Sequence, residues 1–356
     1  MYCRKIITNV HNYAQFYTKS NVITNVCQLK SKRNPFIMYV SQIYKIKRHY
    51  NHMFHEHKNS SKTKLFIVSG SFLFNLYDAK EEKDDVSELE MTIKRSILLI
   101  QKGEFKKAER MLHVALRQAQ ILQHYDGITY IYDVMANLAY DMEDYKKAKK
   151  LFVSVLERLI SKGVSKDDLA VIHISLKIAN MYHIVGDIEK AETGYKFCLE
   201  NLQNHMAKES ENPDVLQLLG LNLEWYAAML FSQSQYADAM KHLTQSYNIS
   251  IQINGEEHEQ TVVLLNDLGT VNCMLKDYDQ AIKYLSKAIE IGKKLPDMSD
   301  IGSVHINLGN VFIMKGLYDE AKKNCNQGKH LSKMKKHSEA VQEAEECLER
   351  IKKLIS

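Results

Sequence analysis

Proline is nearly missing from this chain, with three residues in 356 where average usage of about 5% would supply roughly eighteen. Glycine is scarce too, at fourteen, and tryptophan occurs once. So few helix breakers exclude a collagen-like chain or a Pro/Gly-rich disordered one, and they point to long helices. Mean hydropathy is −0.34, which excludes a polytopic membrane protein. The six cysteines (Cys3, Cys27, Cys198, Cys273, Cys325 and Cys347) include no C-x-x-C pair, so neither a disulfide-dense scaffold nor a zinc ribbon is indicated.

Acidic residues are absent from the first 55 positions. Residues 1–64 hold twelve Lys/Arg and the single acid Glu56, a net of +11, while residues 65–356 hold 36 basic and 42 acidic side chains, a net of −6. The whole-chain +5 is therefore the sum of a basic arm and a mildly acidic body. A nucleic-acid footprint would be basic on the body, so no nucleic-acid partner is expected. A basic, acid-poor N-terminus has the character of a mitochondrial presequence, because the inner-membrane potential pulls positive charge inward. The other reading of residues 1–64 is a disordered basic arm. No apolar core follows Arg4 and Lys5, so a secretory signal fits badly.

Residues 65–77 are uncharged and apolar, with Lys62 and Lys64 before them and an acidic linker, 78–88, after them. As a helix, thirteen residues rise about 20 Å, short of the roughly 30 Å hydrocarbon core. The segment reads as a sorting signal, a shallow anchor or a buried helix.

Beyond residue 88 the chain repeats itself. An alanine preceded three residues earlier by a large apolar residue recurs at Ala108, Ala148, Ala191, Ala239, Ala281 and Ala321. Twelve residues before each stands a small residue: Ser96, Ala136, Ala179, Ala227, Gly269 and Gly309. Four residues after, the side chain is bulky in five copies, from Leu112 to Leu285, and Cys325 in the sixth. Two small residues twelve apart let the backbones of an antiparallel helix pair approach closely, and the bulky residue packs down the same face. The turn falls before the aromatic position, where Gly103, Gly186 and Gly316 supply it in three copies. Cys198 and Cys325 occupy packing positions, where a free cysteine acts as a small hydrophobe.

These residues resemble the tetratricopeptide repeat family. The resemblance implies an all-α fold: a right-handed α-solenoid of about six lengthened repeats over 89–335, closed by a capping helix at 336–356. Successive markers lie 40, 43, 48, 42 and 40 residues apart rather than the family's shorter period, so helices or connections are long. Residues 255–261 resemble the inter-repeat linker of kinesin light chains. Pro213 and Pro296 are expected between repeats. Val341, Ala344, Leu348, Ile351 and Ile355 form the apolar stripe of the capping helix, which a solenoid needs to cover its last face.

The stretches 128–139, 174–182 and 194–198 are more particular than the repeat consensus demands and resemble a mitochondrial branch of the family that serves respiratory complex III. That resemblance implies attachment to the inner membrane, association with complex III subunits including the Rieske protein, and help in clearing Rieske fragments, with a mitochondrial protease as a further partner. The reading from the residues alone is a binding solenoid, and its alternative is a cytosolic adaptor of the motor-cargo or chaperone-linked kind.

In such solenoids the first helix of each pair lines the concave face. The candidate peptide-binding residues there are Tyr130, Asp133, Asn137, Tyr140, Asn180, His183, Glu224, Phe231 and Asn310. Asn137, Asn180 and Asn310 recur at one register, and an amide offers donors and an acceptor to a peptide backbone. Repeat proteins that clamp a terminal carboxylate place lysine where this chain has Asp133, Leu176 and Glu224, so a basic or polar-apolar peptide is the better fit. No catalytic or phosphate-binding motif occurs, and no enzyme activity, cofactor or metal is expected. The cluster His49, His52, His55 and His57 has ligand-like spacing but lies in the basic arm.

Overall fold

The computed structural model describes residues 83–355 apart from 210, 296, 297 and 299, with side chains from 88 onward. The basic arm, its histidine cluster, residues 65–77 and Pro296 lie outside the described residues. Among the described residues thirteen helices follow one another: α1 (Lys83–Gln101), α2 (Phe105–Ile121), α3 (Tyr125–Asp141), α4 (Tyr145–Ser161), α5 (Leu169–Val185), α6 (Ile188–Lys208), α7 (Pro213–Ser232), α8 (Tyr236–Asn254), α9 (Glu259–Met274), α10 (Tyr278–Lys294), α11 (Ile301–Lys315), α12 (Tyr318–Met334) and α13 (Ser338–Ile355). No strand occurs among the described residues. Each helix packs on the next in the chain, and first helices of successive pairs also touch, α5 with α7 and α9 with α11. This is the stacking of an α-solenoid.

The six marker alanines each sit on the second helix of a pair and are fully buried. Their partners twelve residues earlier are buried on the first helices. In the fifth and sixth pairs even a methyl group would not fit. A Cβ on Gly269 would lie 2.5 Å from Leu285 Cγ, and one on Gly309 would lie 2.4 Å from Cys325 Sγ.

A left-handed residue stands five positions before every marker. Gly103, Gly186 and Gly316 fill it in three turns, as expected, and Glu143, Ser234 and Lys276 fill it in the others with φ of 62°, 62° and 65°. The tight packing of the pair holds these three where glycine is the unstrained choice. Asp144, Asp187 and Asp277 then cap α4, α6 and α10 by accepting the backbone N–H three residues on, which satisfies one free donor of each helix.

Three details differ from the sequence expectations. First, α1 begins at Lys83, inside the acidic 78–88 segment, because Asp84, Asp85 and Glu88 are favourable near a helix N-terminus. Second, Pro213 is the first residue of α7, behind the Asn212 cap, where its missing N–H costs nothing. Third, Cys325 is not free: it forms a disulfide with Cys347 on α13, with the two Cα atoms 6.2 Å apart. The buried stripe of α13 is accordingly Ala340, Ala344, Cys347 and Ile351, with Ile355 exposed.

Candidate binding face

First and second helices differ sharply in environment. In α7 every residue from Asn222 to Phe231 is buried, whereas α8 buries only Ala239, Leu243, Ser246 and Ser250. A first helix is enclosed by its partner and by the neighbouring pairs, while a second helix keeps its outer side in water. Polar residues on first helices must therefore find partners inside the protein.

The nine candidate residues fall on α3 (Tyr130, Asp133, Asn137, Tyr140), α5 (Asn180, His183), α7 (Glu224, Phe231) and α11 (Asn310). Tyr130, Asp133, Asn137, Asn180, Glu224 and Phe231 are buried; Tyr140, His183 and Asn310 keep part of their surface. Asn137 donates to the Asp133 carbonyl at 2.8 Å and accepts from the Lys177 ammonium. Asn180 donates to the Tyr140 hydroxyl at 2.6 Å and accepts from the Tyr195 hydroxyl at 3.2 Å. Arg350 donates to Asn310, and Gln260 donates to Glu224 at 2.6 Å. Phe231 packs edge-on against Tyr236. The recurring amides thus tie one repeat to another.

Burial sets the electrostatics of this layer. It lifts the Asp133 carboxyl to about 6 against the opposing charge of Lys177, and it lowers Lys177 against the opposing charge of Asp133. Burial first, then the Lys177 charge, holds His173 well below its ordinary value and therefore neutral. Burial, reinforced by Asp267, lifts Glu224 to about 8 despite the bond from Gln260. Lys177 bonds to Asn137 and Glu224 accepts from Gln260, in each case across two repeats. Burial also raises the thiols of Cys198 and Cys273, the latter to about 11, so neither is an activated nucleophile. Among the described residues no three His, Cys, Asp or Glu side chains are grouped to hold a metal ion.

Charge is segregated between the two helix sets. The six first helices carry eleven acids and five Lys/Arg, a net of −6; the six second helices carry twenty-one Lys/Arg and ten acids, a net of +11. The acids Asp133, Glu224 and Asp267 of the first set are buried. The outer sides of α2 and α4 expose Lys106, Lys107, Arg110, Lys146 and Lys150, so the accessible charge of the first two pairs is basic.

Lys177, Gln260 and Arg350, together with the Asn266–Asn307 bond at 2.8 Å, were not singled out from sequence. Lys177–Asn137, Asn180–Tyr140 and Arg350–Asn310 are each forty residues apart, near one repeat length but not the 43 that separates the markers Ala148 and Ala191.

A tetratricopeptide repeat family profile matches residues 218–294, which run from α7 to the end of α10. The chain is 36% identical over 299 residues to a Drosophila melanogaster protein, Tetratricopeptide repeat protein 19 homolog, mitochondrial, across 83% of this chain and 81% of the relative. It is 32% identical over 287 residues to the Homo sapiens Tetratricopeptide repeat protein 19, mitochondrial, across 77% and 75%. Among solved structures, a Rap protein complexed with competence and sporulation factor superposes with a TM-score of 0.54 at 15% identity, over 90% of this chain and 86% of that one. At that identity the likeness supports the fold alone.

Proposed function

Because this chain belongs to the mitochondrial tetratricopeptide repeat protein 19 family, we propose that it is a non-enzymatic binding factor of the inner mitochondrial membrane that engages respiratory complex III and promotes clearance of Rieske-subunit fragments. The observation that carries this reading is the family match across four-fifths of the relative's length. The acid-free, basic N-terminus supports import. Membrane association follows from binding a membrane complex and needs no spanning helix of its own; among the described residues no helix is long and apolar enough to cross a bilayer.

A bound segment meets the first-helix face through Tyr140, His183 and Asn310, the candidate residues that keep accessible surface. The outer, basic side of α2 and α4 offers a second contact for acidic surfaces of the complex.

Affinity purification of the C-terminally tagged chain from gently solubilised mitochondria tests the reading. Complex III subunits and Rieske fragments should co-purify. Diffuse cytosolic fluorescence of the tagged chain, with no complex III in the eluate, would replace it with the cytosolic adaptor.

A further inference from the structure

The amides of one register are not used alike. Asn137 and Asn180 are buried, and both ends of each are taken. Their Nδ2 groups donate to the Asp133 carbonyl and the Tyr140 hydroxyl, and their oxygens accept from Lys177 and the Tyr195 hydroxyl. Asn310 holds the same register in the sixth pair but keeps part of its surface, as Thr270 does in the fifth. Its oxygen accepts from Arg350. Arginine has only donors, so this bond fixes which end of the amide is which. The Asn310 Nδ2 group then donates to nothing among the described residues and is not enclosed.

Arg350 is a cation that no anion neutralises at contact. It stands on α13 and is partly exposed. Among the described residues no carboxylate lies within ion-pair reach of it. Glu349 pairs with Lys353 and Glu345 with Lys329, while Glu346, one turn earlier, accepts from Gln342 at 3.2 Å and acts on Arg350 only at longer range. Its Nε is buried and has no acceptor, so its exposure is left to the rest of the side chain. The Arg350 charge also reaches the half-exposed Cys273 on α9. A half-enclosed guanidinium and an idle amide, joined by one hydrogen bond, thus form two adjacent donors with no acceptor to serve.

We propose that Arg350 and Asn310 hold a carboxylate carried by a bound peptide, through the Nη edge of the guanidinium and the Asn310 Nδ2 group. This rests on the reading that the first-helix face receives a peptide segment, and it names where on that face the segment is fixed. A carboxylate is planar, accepts at two oxygens and matches the arginine fork. A basic side chain would meet donors and a like charge. The expectation of a basic or polar-apolar segment, read from Asp133, Leu176 and Glu224, therefore does not extend to this end of the face, where the cation comes from the capping helix.

Side-chain NMR of the full chain, labelled with nitrogen-15, tests this in titrations with N-acetylalanine, N-acetylaspartate α-amide and the neutral N-acetylalaninamide. Either carboxylate should shift the Arg350 Nε–Hε and Asn310 Nδ2 signals saturably. The stronger of the two tells whether a chain end or an acidic side chain is held. Arg110 and Arg117, exposed on α2, report the contact an anion makes with any surface cation. Arg350→Lys keeps the charge, loses the fork and should weaken the response at Asn310 at least ~5-fold. Three results overturn the proposal: a response at Arg350 no larger than at Arg110 and Arg117, an equal response to N-acetylalaninamide, or an Asn310 response that Arg350→Lys leaves unchanged. A chain that captures complex III and gives any of these loses the proposal and keeps the reading beneath it.

Discussion

Lys177 on α5 reaches across the seam between the second and third pairs to donate to Asn137 on α3, while its charge opposes that of neither water nor ligand but the buried carboxyl of Asp133. Lys177→Ala leaves a buried carboxylate without its cation and an amide oxygen without its donor. The expected loss is about 3–5 kcal/mol, read as a fall in the urea midpoint. Lys177→Met combined with Asp133→Asn removes both charges and should recover most of that loss.

Glu224 predicts a pH dependence. Its folded value of about 8 lies above the ordinary 4.5, so the folded protein holds this proton more tightly than the unfolded chain. The contribution is complete below about pH 4.5 and is lost as pH climbs towards 8. Thermal midpoints of the unaltered chain should therefore fall between pH 5 and 8. Glu224→Gln keeps an acceptor for Gln260 and cannot ionise, so its profile should be flatter; an equal slope in both proteins would refute the assignment.

The turns predict a gain as well as a loss. Lys276 is left-handed with φ of 65°, a conformation that costs a side-chain-bearing residue about 1 kcal/mol or more. Lys276→Gly should stabilise by about 0.5–1 kcal/mol, because added freedom in the unfolded chain offsets part of the relief. Gly186→Ala, at the same register, should destabilise by about 1 kcal/mol. Differential scanning calorimetry of the two variants, in one buffer, checks the opposite signs.

The Cys325–Cys347 bond joins the last repeat to α13 across a separation of 22 residues. A loop of that size is worth about 3 kcal/mol in the chain-entropy description. Non-reducing peptide mapping should recover the two cysteines in one linked fragment. Reduction, or Cys347→Ser, should lower the midpoint of the C-terminal end and expose α13 amides to exchange before those of α3. Unchanged exchange at α13 would mean that its stripe of Ala340, Ala344 and Ile351 holds it unaided.

Much of this fold was legible because its constraint is local and repeated. A backbone crossing that admits no Cβ, as at Gly309 against Cys325 Sγ, forces a small residue into the sequence every time it occurs. The turns were half legible: where Glu143, Ser234 and Lys276 replace glycine, packing of the pair imposes a conformation that the residue itself does not favour. The polar layer was least legible. Asn137, Asn180 and Tyr140 stood out by their register, but whether an amide faces water or a neighbour depends on what sits forty residues away, and Lys177 shows no pattern until the repeats are stacked. Cys325 looked like a packing residue because it is one; its bond depends on α13, which follows no repeat register.

The central claim is that this solenoid serves complex III by promoting removal of Rieske fragments. The most direct measurement is the level of those fragments on isolated complex III after the chain is depleted and then restored. The account predicts accumulation on depletion, and clearance when the unaltered chain is returned. Fragment levels that stay unchanged through depletion would contradict it.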